Sequence, residues 1–276
     1  MKNLIRITLT SMLIVACSQE PVGVPLDSTV EREGIRYEVN SQEPFMGVTE
    51  TYFEDGQLQQ RANFKAGLQD GLTENYYENG QLYVRANWKA GEIDGLFELY
   101  FENGQLEIRS NYKAGKLDGL GERYYEDGQL ASRSNYKAGK EDGLSEIYNE
   151  NGQLKERANY KADKLDGLYE TYFENGQLKE RSNWKADHKV GPFEFYFENG
   201  QLEERANWKA GWYDGLRERY YEDGQLASRS NYKAGKLDGL SEIYNENGQL
   251  EQRANFKAGV LIDCVLKAGV RNDCVF

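Results

Sequence analysis

The stretch Gly71–Asp94, which reads GLTENYYENGQLYVRANWKAGEID, decides the fold because it recurs along the chain. The glycine of its E-(N/D)-G-Q-L core returns every 24 residues, without insertion or deletion, at Gly56, Gly80, Gly104, Gly128, Gly152, Gly176, Gly200, Gly224 and Gly248. A fixed period of this length is the signature of a repeat array, in which each unit contacts mainly its neighbours. An array of this kind needs no large central core.

Each unit contains two strand patterns separated by turn signals. The first pattern is L-x-E-x-Y-(Y/F), as in Leu72–Tyr77, and the second is Q-L-x-x-R-(A/S)-N-(aromatic)-K, as in Gln81–Lys89. Asn-Gly or Asp-Gly between them is a strong hairpin signal. A second turn, A-G-x-x-D-G, leads into the next unit. Asp163 and Asp187 replace its first glycine in two units, which indicates a left-handed turn position, because aspartate tolerates positive φ better than most residues. The sequence predicts an all-β fold: an elongated array of about nine 24-residue antiparallel β-hairpin repeats forming a twisted or curled single sheet.

Two registers are compatible with each hairpin. A two-residue Asn79-Gly80 turn would place Glu74 opposite Arg85. A three-residue loop with Gly80 in a left-handed bulge would shift the pairing by one residue, and such a slip moves side chains to the other face. The shifted register gathers the apolar positions on one face: Leu72, Tyr76, Leu82, Ala86 and Trp88. We favour the bulged register for that reason, and a Glu74–Arg85 pair would contradict it.

The N-terminus has the layout of an export signal. Lys2 and Arg6 precede the apolar run Ile7–Ala16, which is too short to span a bilayer as a mature helix. The run ends in Ile14–Cys17, which resembles a bacterial lipobox. Residues 1–16 are therefore predicted to be a signal peptide and Cys17 a lipidation site. Ser18 favours sorting to the outer membrane. The alternative is an ordinary signal peptide that contains a cysteine.

The array is predicted to be flanked by shorter segments. Residues 17–29 contain two prolines and little periodicity, which indicates a lipidated tether. Residues 30–46 are predicted to be an N-terminal cap strand that covers the open edge of the first hairpin. The array occupies residues 47–259, and residues 260–276 form a C-terminal cap. There Cys264 and Cys274 hold matching places in a short tandem, and they either form a disulfide or pack as thiols.

Composition and duplication limit the classes of function. The formal net charge of −12 argues against nucleic acid or an anionic membrane surface as partner, so the membrane is expected to be contacted through the lipid alone. Residues Gly119–Ala162 and Gly215–Ala258 are nearly identical, and they differ at places such as Gly121 and Arg217. A catalytic centre rarely survives such copying, whereas a scaffold is lengthened by it. We therefore predict no enzyme.

The reactive side chains also argue against an enzyme. The single histidine, His188, lies in a predicted turn, and the turn carboxylates recur in every unit, as turn residues do. No cofactor or metal is predicted. The aromatic residues are the candidate binding surface, with a packing stripe between hairpins as the alternative interpretation: Trp88, Trp184, Trp208, Trp212 and Tyr213.

The repeated unit resembles the variant MORN repeat, and the segment EVNSQEPFMG at Glu38–Gly47 resembles the opening of bacterial proteins of the YwqK-type antitoxin family. The resemblance implies antiparallel β-hairpin repeats and a role in protein or membrane association, without catalytic residues. The seventh unit departs from the pattern at His188–Pro192, where we expect the strand to start late or bend. The predicted function is a lipid-anchored scaffold for an unknown protein partner at the bacterial envelope. A glycan or cell-wall binding module is the first alternative, and an antitoxin-like neutralising protein is the second.

Overall fold

The structure, a computed structural model, describes residues 23–266. Its N-terminal elements are β1 (Val24–Pro25), a 3₁₀ turn (Leu26–Ser28), β2 (Thr29–Arg32) and β3 (Ile35–Glu38). The strands of the array are β4 (Gly47–Tyr52), β5 (Leu58–Lys65), β6 (Leu68–Tyr76), β7 (Leu82–Lys89), β8 (Glu92–Tyr100), β9 (Leu106–Lys113), β10 (Lys116–Tyr124), β11 (Leu130–Lys137), β12 (Lys140–Tyr148), β13 (Leu154–Lys161), β14 (Lys164–Tyr172), β15 (Leu178–Lys185), β16 (His188–Tyr196), β17 (Leu202–Lys209), β18 (Trp212–Tyr213), β19 (Gly215–Tyr220), β20 (Leu226–Lys233), β21 (Lys236–Tyr244) and β22 (Leu250–Lys257). The last strand is β23 (Val260–Leu266).

These strands form one long sheet, as the repeat predicts. From β4 to β23 each strand pairs antiparallel with the next in the chain, except that β18 and β19 both pair with β17. β1 adds a parallel strand to the outer side of β4. The sheet has 21 strands, and β2 and β3 form a separate hairpin. Units 1 to 9 are successive strand pairs, from β4–β5 to β21–β22, and unit 8 has its first strand divided into β18 and β19. No helix long and apolar enough to cross a membrane occurs between residues 23 and 266.

The two turn types adopt different left-handed geometries. In the E-N-G turn, Gly80 has φ 81° and its N–H donates to Tyr77 O at 2.9 Å. In the A-G turn, Ala90 has φ 50° and Gly91 has φ 86°, the positive pair that a two-residue hairpin turn requires. The alanine of this turn has φ between 47° and 52° in every unit. Asp163 and Asp187 take φ 67° and 68°, which confirms the predicted left-handed positions.

Consecutive units are also joined through their turns. Asn79 Nδ2 donates to Glu102 O in the next E-N-G turn at 3.1 Å. On the opposite edge, the Ala90 N–H donates to Asp70 Oδ2 at 3.2 Å, and the Gly91 N–H donates to Gln69 O at 2.9 Å. The D-G aspartate therefore caps the following A-G turn, which explains why the sequence keeps both residues in nearly every unit.

The favoured register is wrong over most of the hairpin. Tyr76 pairs with Leu82 as the bulged loop requires, but the pairing then shifts, and Glu74 lies opposite Arg85. The unpaired residue of this second bulge is Tyr83. Leu72 and Tyr76 consequently share a face with Arg85, while Ala86 and Trp88 occupy the other face. The bulge brings the glutamate two residues before each recurring tyrosine opposite an arginine, both within a unit and between units.

The flanking segments and the seventh unit also differ from expectation. Val24–Thr29, assigned to the tether, is folded: β1 covers the edge of β4, the role that had been given to residues 30–46. The β2–β3 hairpin instead contacts the first A-G turn, where the Arg36 N–H donates to Gly67 O at 2.9 Å. Pro192 does not delay or interrupt β16. It lies where the ladder with β15 is already broken, so its missing N–H costs little.

The buried core is a stripe of small side chains rather than an aromatic layer. Ala62, Ala86, Ala158 and Ala254 are 1–2% exposed, and Ser182 is 1% exposed. A single sheet has no second layer to cover it, so these residues are enclosed by the larger side chains that flank them on the same face. Small residues at this position let the flanking rows close over the middle of the sheet.

Candidate functional site

One face of the sheet carries an alternating row of glutamate and arginine side chains that crosses all nine units. Each member lies opposite the next one in the strand register, so every charge except the two at the ends has an opposite charge on either side. We call this row the charge ladder: Glu50, Arg61, Glu74, Arg85, Glu98, Arg109, Glu122, Arg133, Glu146, Arg157, Glu170, Arg181, Glu194, Arg205, Glu218, Arg229, Glu242 and Arg253.

Glu146 shows how a ladder carboxylate is held. It accepts hydrogen bonds from Arg133 Nε, from Arg157 Nε at 2.9 Å and from Tyr148 Oη at 3.1 Å, and its side chain is 2% exposed. Burial raises the pKa of Glu146, but the bonds from Arg133 and Arg157 outweigh burial and leave the pKa below its ordinary value. The carboxylate is therefore buried in its charged form, which a buried acid without such partners would not be.

The recurring tyrosine belongs to the same network. Tyr52, Tyr100 and Tyr244 donate to the ladder carboxylate two residues earlier at 2.6, 2.8 and 2.8 Å. We call this side of the sheet the constant face: the charge ladder together with its flanking rows of leucine, asparagine and tyrosine. Its ladder side chains repeat from unit to unit, and their charges are paired within the sheet.

The opposite side is the variable face, and it has three rows. The outer row alternates the aromatic residue before each A-G turn with residues 69, 93, 117, 141, 165, 189, 213, 237 and 261, which range from leucine to glutamate and lysine. The middle row contains the small buried residues and their partners, such as Thr73, Phe97 and Gly121. The third row includes Ile108, Ile147 and Glu156.

The variable face concentrates aromatic rings and charge in units 6 and 7. Lys189 Nζ lies 5.3, 4.4 and 5.6 Å from the ring centroids of Trp184, Phe193 and Trp208, and 2.7 Å from Glu180 Oε1. An ammonium over several ring faces is favourable because the ring quadrupole attracts cations. Phe193 meets Trp208 edge-on, with centroids 6.1 Å apart.

The cluster continues into unit 8. Arg217 donates a bidentate pair of hydrogen bonds to Glu204, from Nε at 2.9 Å and from Nη2 at 2.7 Å. Its guanidinium carbon lies 4.9 Å from the centroid of the Tyr213 ring. Tyr213 Oη donates to Glu204 Oε1 at 2.9 Å. Burial, and then the Glu204 charge, raise the pKa of Tyr213 to about 12. Burial raises the pKa of Glu204 as well, yet Arg217 outweighs it and the pKa is lowered.

The five aromatic residues predicted as a surface are only partly brought together. Trp208 and Tyr213 have ring centroids 4.1 Å apart, and Trp184 joins them through Lys189. Trp88 lies on the same face but in unit 2. Trp212 pairs with Lys209 and so lies on the opposite side from Tyr213; it is 63% exposed and covers Gly235. The binding role of these residues stays a prediction.

The remaining candidates do not form a reactive centre. His188 is exposed, with Nδ1 2.8 Å from Ala186 O. Between residues 23 and 266, no group of three His, Cys, Asp or Glu side chains could hold a metal ion. Cys264 is half-buried on β23 opposite Ala254. Cys17 and Cys274 lie outside the described residues, so lipidation and the disulfide stay predictions.

Nine consecutive segments match the family model described as MORN repeat variant: residues 47–66, 69–90, 93–114, 117–138, 141–162, 165–186, 189–210, 213–234 and 237–258. Together they cover more than half of the chain. The chain belongs to the MORN repeat variant family. Such repeats are in general non-catalytic scaffolds for protein or membrane interaction, and this MORN-variant array has the extended single sheet that such a scaffold needs.

Other comparisons add little to this membership. No curated protein matches the chain. Among solved structures, a chain titled "Crystal Structure of TcdB2-TccC3" is 13% identical, with a TM-score of 0.20. The match covers 77% of the MORN-variant chain but only 15% of the other chain. A likeness this distant carries no argument about fold or function.

Several residues of the MORN-variant variable face were not identified as candidate binding residues from the sequence: Gly121, Glu180, Lys189, Phe193, Glu204 and Arg217. Each stands at a position whose residue type changes from unit to unit. Aligning the units would have flagged them, but the register was needed to show that these positions share one face.

Proposed function

We propose that this MORN-variant protein is a non-catalytic, lipid-anchored scaffold that binds a protein partner at the bacterial envelope through its variable face. The membrane would be contacted through the lipid on Cys17, and the array would extend the variable face away from it. The interaction role is supported by membership of the MORN repeat variant family, because such repeats are in general scaffolds for protein or membrane interaction. The anchor and the envelope location rest on the N-terminal sequence.

One observation carries the choice of the variable face. The duplicated blocks Gly119–Ala162 and Gly215–Ala258 differ at five positions, which are Gly121/Arg217, Glu141/Leu237, Lys155/Glu251, Glu156/Gln252 and Tyr160/Phe256. Four of the pairs lie on the variable face, and the fifth is the bulge residue beside it. The constant face is identical in both blocks. Four of the five changes alter formal charge, which changes partner selectivity more than it changes a fold.

Site-specific photocross-linking in living bacteria tests this proposal. Ile147 on the variable face and Leu120 on the constant face are both strand residues, 39% and 38% exposed, so a photoreactive amino acid at each gives a matched pair. We expect a discrete protein adduct from position 147 and none from position 120. Equal adducts from both positions, or adducts to sacculi alone, would contradict a protein-binding variable face.

The anchor has a separate test. Radiolabelled palmitate should enter the wild-type protein and should not enter the Cys17→Ser variant, because the thiol is the acceptor. The wild-type protein should also fractionate with the outer membrane. Label that persists in the variant would overturn the anchor while leaving the scaffold role standing.

A further inference from the structure

Gly121 occupies a strand position where nothing in the backbone demands glycine. It lies inside β10, buried, opposite Ser110 and Ser134, and it is absent from the glycines with positive φ. Glycine inside a strand weakens it, because the chain loses more entropy on folding and no side chain packs. Such a glycine often marks a bulge, a tight bend or a place where a ligand or another backbone approaches closely.

The missing side chain leaves a pocket in the variable face. Its volume is about 240 Å³, and its lining includes Ile108, Leu117, Tyr136 and the serines on either side of Gly121. Arg123 also lines it, and its charge is paired with Glu107 at 3.8 Å. A Cβ at position 121 would lie 3.0 Å from Tyr136 Cε2, so any side chain here would enter this space. Sites for small molecules are usually roughly 300–1,000 Å³, so this pocket suits a single anchoring side chain.

The neighbouring units show which chemistry fits. One unit earlier, Phe97 stands at the place of Gly121, and its ring meets Tyr112 edge-on with centroids 5.9 Å apart. The residues that correspond to Ile108 and Leu117 are there Val84 and Ile93, which are of the same apolar kind. Tyr169 and Phe193 meet the aromatic residue of their own units edge-on in the same manner. A ring is therefore the group that this position accommodates repeatedly.

The charge beside the pocket distinguishes it from the duplicated copy. Glu141 pairs with Tyr136 in the register, and its carboxylate raises the pKa of Tyr136 after the larger effect of burial. In the copy, Leu237 replaces Glu141, and the position of Gly121 is filled by Arg217. Glu141 thus lies beside the open pocket, opposite its lining residue Tyr136, and a positive charge on the occupant would complement Glu141. In the filled copy the positive charge is Arg217 itself, which pairs with Glu204.

We propose that the Gly121 pocket receives an aromatic side chain of a protein partner, with a lysine or arginine next to that ring facing Glu141. This inference rests on the proposed function and names its anchor point. The array supplies rings of its own at this position in units 3, 6 and 7, and in unit 4 it leaves the place open.

The test is an NMR titration of the full chain, which is purified in detergent and carries isotope-labelled isoleucine and leucine methyl groups. The probe is acetyl-Lys-Phe-Lys-amide, with acetyl-Lys-Ala-Lys-amide as its control and an N-acetylglucosamine trimer as the glycan probe. We expect saturable shifts of the Ile108 and Leu117 methyls with the phenylalanine peptide alone, with a dissociation constant on the order of 1 mM.

Variants copied from other units keep the test independent of folding. Gly121→Phe, which copies Phe97, should lower affinity at least tenfold, and Glu141→Leu, which copies Leu237, should lower it severalfold. Tyr160→Phe, which copies Phe256, should leave it unchanged. If Gly121→Phe does not fold, Gly121→Thr, which copies Thr73, takes its place.

Three results would overturn the proposal: equal shifts with the alanine peptide, unchanged binding by the filled variant, or saturable shifts with the trimer alone. Cross-links from position 147 that survive in the filled variant would retain the scaffold role and reject the pocket. If the wild-type protein gives neither the adduct from position 147 nor the peptide shifts, the variable face as a whole is rejected.

Discussion

Arg85 donates hydrogen bonds from Nε and Nη2 to Glu74 Oε1, directly opposite in the strand register, at 3.1 and 3.0 Å. The next unit continues the contact, with Arg85 Nη1 3.9 Å from Glu98 Oε2. Arginines of the ladder are about half exposed, while most of its glutamates are buried. The ladder therefore stabilises the sheet mainly by satisfying carboxylates that the sheet has buried.

Glu146→Gln should destabilise the protein by about 1–3 kcal/mol, because the carboxylate accepts from Arg133 and Arg157 with two oxygens, whereas the neutral amide has only one acceptor oxygen. The same change at Glu150, an exposed turn residue of the same unit, should stay within about 0.5 kcal/mol. Urea unfolding followed by circular dichroism measures both. Equal effects at the two positions would show that the ladder contributes nothing beyond an exposed charge.

Stability should be lost at acid pH. The pKa values of Glu50, Glu146 and Glu242 are lowered from 4.5: at Glu50 mainly by Tyr52, and at the other two because hydrogen bonds outweigh burial. A lowered pKa contributes stability that is present above pH 4.5 and lost as pH falls through the lower folded value. Unfolding midpoints should be flat from about pH 8 to 5 and fall below it. Glu146→Gln should flatten that fall, and a profile identical to wild type would contradict the assignment.

Ala138→Gly should stabilise the protein, although most substitutions do not. Ala138 has φ 51° in its A-G turn, a conformation that costs an L-residue about 1 kcal/mol and costs glycine almost nothing. We expect a gain of about 0.5 kcal/mol after the entropy of the unfolded chain is included. Ala158→Gly, in a strand where alanine is 1% exposed, should instead lower stability by about 1 kcal/mol. If thermal denaturation shows that the melting temperatures of both variants shift in the same direction, the assignment of strain to the turn alanine is refuted.

Trp208 and Trp212 should behave differently when truncated. Trp208 contacts Phe193 and Tyr213, so Trp208→Ala should cost about 2–3 kcal/mol. Trp212 is 63% exposed, so Trp212→Ala should cost no more than about 0.5 kcal/mol. Chemical unfolding gives the two values, and iodide should quench the fluorescence of Trp212 preferentially. Comparable losses for both residues would mean that Trp212 is a packing residue as well.

Much of the fold could be predicted because its determinants are local. The 24-residue period, the Asn-Gly loop at Gly80 and the left-handed places of Asp163 and Asp187 are all properties of short segments. The N-terminal edge was misjudged for the opposite reason. Val24–Pro25 has no pattern of its own, and it becomes a strand only because the edge of β4 offers unpaired backbone groups.

The candidate site was less predictable, since membership of a face depends on register. Tyr83 occupies a bulge that shifts the pairing by one residue, and that shift decides whether Glu74 meets Arg85. Apolar periodicity favoured the other register, because it takes no account of charge pairing across several strands. In the sequence, Lys189 and Gly121 are irregularities of the repeat. Their spatial neighbours depend on the register and are given only by the sheet.

The sequence by itself determined that this chain is an array of β-hairpins, because turn chemistry and alternation act over a few residues and recur nine times. The tertiary structure alone decided that the array has a constant and a variable face. Interstrand register depends on contacts between residues 11 to 13 positions apart in the chain, as in Arg157–Glu146 and Arg133–Glu146. Those contacts fix the charge ladder on one side, and they leave on the other side the variable residues through which we propose that a partner binds.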